Sequence, residues 1–95
     1  MVLSSFGDSV ITSVILTKRA EKEASKAPQH VRRKLGFWIS TVEDIGLEEA
    51  RKQSSYHDEP LKGKRAGERS IRLNLQWRAI YIIKNNHSIE FVSIE

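Results

Sequence analysis

The stretch YHDEPLKGKRAGERSIRLNLQWRAIYII, residues 56–83, decides the fold. Its second half holds two short apolar runs. Arg69 to Asn74 alternates, with Ile71 and Leu73 turned inward among polar neighbours. Gln76 to Ile83 is aromatic and β-branched, the composition of a strand. Lys84-Asn85-Asn86-His87 supplies turn chemistry, and Ser88 to Ile94 closes a hairpin. The first half is loop: Ser54 to Gly67 is polar and punctuated by Pro60, Gly63 and Gly67.

Working outward, Val10 to Thr17 is rich in Val, Ile and Thr and reads as a strand. Lys18 to Lys26 is charged and Ala-rich, which favours helix. Pro28 suits the first position of a second helix. Val31, Leu35, Trp38, Ile39, Val42 and Ile45 then draw one apolar stripe down it, and Gly46 stops it. A short helical turn follows over Leu47 to Lys52. Met1 to Ser9 has no clear period and reads as an extra arm or strand. The expected fold is α+β: an N-terminal strand, two helices, then a three-stranded antiparallel meander, all in one sheet. With 95 residues there is one domain, spanning 1–95.

Composition narrows the chemistry. There is no cysteine, so disulfides, thiolate metal sites and cysteine nucleophiles are excluded. Three scattered histidines, His30, His57 and His87, lack metal-ligand spacing, and no metal or cofactor is expected. The longest apolar run, Val10 to Leu16, is too short to span a bilayer, so no membrane is expected and the cytoplasm is. The formal net charge is +4. From Pro60 to Arg78 stand six basic residues and one acid, Glu68; that stretch carries +5 and the remainder sums to −1. Basicity this local fits a polyanion-binding surface or a solvated cationic face.

The PLKG turn, the SIRLN strand and the WRAIY strand, with SIEFVSIE after the turn, resemble the HigB-like killer proteins of bacterial toxin–antitoxin pairs. These are the plasmid-maintenance branch of the RelE/ParE superfamily. VILTKRAEKE, residues 14–23, is similar to that family's first strand and helix. The resemblance implies a microRNase-like sheet packed on two helices. It implies metal-free cleavage of mRNA in the ribosomal A site, and neutralisation by a helix-turn-helix, HigA-like antitoxin. It also implies a tail beyond FVSIE that supplies part of the catalytic set. The sequence given has no such residues, so weakened cleavage is expected.

Metal-free RNA cleavage needs a base for the 2′-OH, cations for the phosphorane and an acid for the leaving 5′-oxygen. Arg78 matches the family's arginine on the central strand and is the first catalytic candidate; the alternative is a structural pairing with an acid such as Glu90. Lys64 and His57 join it. His57 can give or take a proton near neutrality, but it stands three residues ahead of PLKG and reads more readily as an exposed loop histidine beside Asp58 and Glu59. Lys62, Lys64, Arg65, Arg69 and Arg72 are RNA-binding candidates, individually close to ordinary surface charges. Arg72 alternates away from Arg69, so the two face opposite sides of the sheet. Trp77 and Tyr81 could stack on bases but suit the core better. Two other readings stay open: a ParE-like gyrase binder without catalysis, and an inactive form that only binds its antitoxin.

Overall fold

The computed structural model describes residues 10–95, so the arm expected over Met1 to Ser9 lies outside the described residues. Among the described residues five strands form one mixed sheet: β1 (Ser13–Leu16), β2 (Glu59–Pro60), β3 (Glu68–Arg72), β4 (Arg78–Ile83) and β5 (Ser88–Ile94), in the order β1-β5-β4-β3-β2. Neighbours are antiparallel except β1, which runs parallel to β5. Three helices, α1 (Lys18–Lys26), α2 (Gln29–Ile45) and α3 (Leu47–Arg51), separate β1 from the rest. The α+β class expected from the sequence is the one observed.

Local chemistry explains the boundaries. Thr17 caps α1, its Oγ1 accepting from Ala20 N–H at 3.0 Å. Gly46 ends α2 with φ of 99°, and a Cβ there would lie 3.0 Å from a Val10 methyl. Pro28 proves to be the residue before α2, not its first; its carbonyl accepts from Val31 and Arg32 N–H. The expected first strand shortens at its start because Ile11 turns from the sheet and its carbonyl accepts from Leu47 N–H at 2.9 Å. The two meander strands are also shorter than expected. Asn74 Oδ1 accepts from both Gln76 and Trp77 N–H at 2.7 Å, bending the chain before Arg78. β2 was not foreseen. It is a two-residue edge strand, and Pro60, lacking an N–H, suits that edge.

The helices cover one sheet face. Trp38 of α2, Tyr81 of β4 and Phe91 of β5 are fully buried and meet with ring centroids 5.2–5.7 Å apart, in tilted and edge-on contacts. Ala20, Val31, Leu35, Val42, Ile71, Ala79 and Ile89 complete this core. Ile45, expected on the buried stripe, is 56% exposed at the helix end. The opposite face carries Ser70, Arg72, Arg78, Ile80 and Ser93, set by the register Ser70↔Ile80↔Ser93 and Arg72↔Arg78. Among the described residues no helix is long and apolar enough to cross a membrane.

Candidate functional site

The cationic side chains divide between the two sheet faces. Residues of β3 alternate, and Arg69 pairs with Tyr81 while Arg72 pairs with Arg78. Arg69 therefore turns toward the helices, beside the core.

On that helix face sits a closed polar cluster. Asp58, its side chain 1% exposed, accepts from Arg69 Nη2 at 2.7 Å and Nε at 2.8 Å, and from the Tyr81 hydroxyl. Arg51 Nε stands 3.9 Å from the same carboxylate. Burial pushes the Tyr81 phenol far up, and its hydrogen bond to Asp58 adds to that. Arg69 remains a cation: burial is the largest single influence and disfavours its charge, but the hydrogen bond to Asp58, the attraction of that carboxylate and the Tyr81 hydroxyl together outweigh it. Arg69, expected to touch RNA, is instead committed to a buried carboxylate. Its role is to tie the polar connector to the sheet. Tyr81 is core rather than a stacking platform.

The open face holds the other group. Arg72 and Arg78 lie directly opposite each other on β3 and β4. Both line a cleft of about 390 Å³ with Asn74, Leu75, Gln76, Trp77 and Glu95. The Arg78 side chain is half exposed, so a ligand can reach it. Two like charges directly across a strand pair repel, and an anion between them would relieve that repulsion.

A carboxylate already stands at one side. Glu95 Oε1 is 3.7 Å from Arg78 Nη2. Arg65 grips the same carboxylate with two parallel bonds, at 3.0 and 3.2 Å, and reaches Glu68 with Nε at 2.8 Å. Arg65 thus straddles the open face from Glu68 to Glu95, a face on which Ser70 and Ile80 are buried. The Arg65 bonds, opposed by partial burial and helped by the Ser93 hydroxyl, hold Glu95 below the usual carboxylate range. The acid that pairs with Arg78 is therefore Glu95, while Glu90 pairs with Lys84 at 3.2 Å.

Lys62 and Lys64 are exposed on the turn that Arg65 anchors, and neither meets a carboxylate among the described residues. His57 is exposed, with φ of 46° at the end of a 3-10 turn over Ser54–Tyr56. The register Glu59↔Ser70 sets it level with Arg72 along β3, yet no hydrogen bond joins its side chain to Arg72 or Arg78. Among the described residues no cluster of acids and histidines could hold a metal ion.

The sequence reading missed Asp58 and Glu95. Asp58 sat in a polar run where nothing marked it as buried. Glu95 is set beside Arg78 by the mutual backbone bonds of those two residues, at 2.8 and 2.9 Å, a pairing that needs the sheet register.

No protein-family model and no curated protein matches the sequence. Solved structures do match in fold. The YoeB/ParE toxin from Agrobacterium tumefaciens superposes with a TM-score of 0.68 at 17% identity, over 87% of this chain and 95% of that one. YafQ from E. coli strain BL21(DE3) gives 0.69 at 18% identity, over 86% and 89%. The toxin–antitoxin complex RelBE2 from Mycobacterium tuberculosis gives 0.58 at 22% identity, over 90% and 98%. The chain has the RelE/YoeB-like fold.

Proposed function

We propose that this protein is the toxin of a type II toxin–antitoxin pair, a ribosome-dependent mRNA endonuclease of the HigB-like kind, held in check by a helix-turn-helix antitoxin. The observation that carries the reading is the facing pair Arg72 and Arg78 on an open cleft. Two guanidinium groups on adjacent strands offer planar forks to one phosphate and its neighbour. In cleavage the ribose 2′-oxygen attacks phosphorus, a base takes its proton, and the P–O bond to the 5′-oxygen breaks as an acid protonates it. Arg78 neutralises the charge that gathers on the phosphorane, and Arg72 holds the backbone. Lys64 and Lys62, on the turn beside Arg65, add phosphate contacts. His57 is the acid–base candidate, level with Arg72 and free in solvent. Glu95 stays ionised and hydrogen-bonded, which makes it a weak proton carrier and a counter-anion that the RNA phosphate replaces.

The test is ribosome-dependent cleavage and growth inhibition by the Arg78→Ala variant. Loss of one such stabilising donor should lower the cleavage rate by about 100- to 1,000-fold, with the fold intact by circular dichroism. Undiminished toxicity of that variant would sink the nuclease reading. Inhibition of gyrase supercoiling without RNA cleavage would replace it with the interaction-protein reading.

A further inference from the structure

The outer face of α2 carries an aromatic side chain and a glycine that the packing of the described residues does not use. Phe37 is 62% exposed at its middle, a large aromatic left in water. One residue before it stands Gly36, in the interior of a 17-residue helix. A Cβ at Gly36 would meet nothing within 4 Å. Nothing described in the chain therefore needs a glycine there, and a glycine weakens a helix. A close approach by something outside the chain would give it a use.

Helical spacing puts further exposed residues of α2 on the same stripe: Arg33 one turn before Phe37, Ser40 one turn after, and Glu43 and Asp44 beyond. Ser40, Glu43 and Asp44 bound a shallow recess. The stripe thus has a cation at one end, acids at the other, and a small-residue waist beside an aromatic knob. Arg33, Glu43 and Asp44 make no ion pair among the described residues.

We infer that this face pairs with the same face of a second copy, α2 against α2, antiparallel about a twofold axis midway between Phe37 and Ser40. A twofold axis sets each feature against its complement. Arg33 of each copy meets Glu43 and Asp44 of the other, and Phe37 of each enters the other's recess. Gly36 and Ser40 let the backbones come close. An RNA partner is disfavoured by the acids, which would repel phosphate. The inference is independent of the RNA-cleavage reading, since Arg72 and Arg78 stand on the sheet face opposite to the one the helices cover. One helix pair buries a small area, so the dimer is weak and exchanges quickly.

Sedimentation velocity of the full chain, run from about 1 to several hundred micromolar at low and high salt, decides it. The expected result is a concentration-dependent shift from monomer toward dimer that salt weakens. Phe37→Ala and Arg33→Glu should each raise the dissociation constant at least about tenfold, both sites being exposed and tolerant of change. Mixing Arg33→Glu with a Glu43→Arg/Asp44→Arg chain should restore association, because each then offers what the other lacks. A monomer at every concentration overturns the proposal. So does a dimer that these variants leave unchanged, which would place the contact elsewhere. Failure of the mixed variants to associate, with each folded, overturns the antiparallel pairing.

Discussion

At the residue scale the most consequential side chain is Asp58. A charge with a 1% exposed side chain is tolerated because Arg69 and the Tyr81 hydroxyl satisfy it. Removing one partner of such a pair costs more than the pair contributes. Asp58→Asn should therefore destabilise by about 3 kcal/mol, lowering the thermal midpoint by more than about 10 °C. Tyr81→Phe removes only one of the bonds and should cost about 1 kcal/mol; calorimetry of both variants checks the order. The facing of Arg69 was legible in the sequence. The alternation that turns Ile71 and Leu73 inward puts Arg69 on the same side, two residues before Ile71. Its partner was not legible, because a lone aspartate in a polar loop looks the same whether it is solvated or buried.

At the element scale, chain ends and turns are held by side chains reaching across the fold. Glu23 on α1 accepts from Ile94 N–H with one oxygen, at 2.8 Å, and from Arg19 with the other, at 3.1 Å. The Ile94 bond is the main cause that holds Glu23 below its ordinary value near 4.5, with partial burial opposing it and Arg19 helping. A carboxylate depressed in the folded state stabilises above its unfolded value, and that stabilisation fades as pH falls through the folded one. Denaturant titrations should then show that wild type loses stability below about pH 4.5 more steeply than Glu23→Gln does. Elements with strong local signals were read well. The bounds of α1 and β5 match the sequence reading, since charged-Ala and alternating apolar patterns set them. Elements made by distant pairing were not. β2 exists because Glu59 and Pro60 lie along Ser70 and Arg69, which no local propensity encodes.

At the scale of the whole molecule, charge is sorted by region. Residues 60–78 carry +5, while Glu43, Asp44, Glu48, Glu49, Asp58 and Glu59 fall within 37–59, where only Arg51 and Lys52 oppose them. The local excess of cations in residues 60–78 favours a polyanion at the cleft that Arg72 and Arg78 line. Affinity for RNA should fall with salt, and Arg72→Ala should reduce the slope of log affinity against log salt by about one. Arg69→Ala should leave that slope unchanged while lowering stability; equal slopes for wild type and Arg72→Ala would remove Arg72 from the phosphate path. The sheet order has a consequence for synthesis. β5 fills the slot between β1 and β4, and Thr17 reaches Val92 across 75 positions. A growing polypeptide holds β1 and the helices long before the strand that joins them to β3 and β4. The core cannot close until the codons of β5 have been read, so translation halted before Ser88 yields a protease-sensitive fragment and the finished fold forms only late.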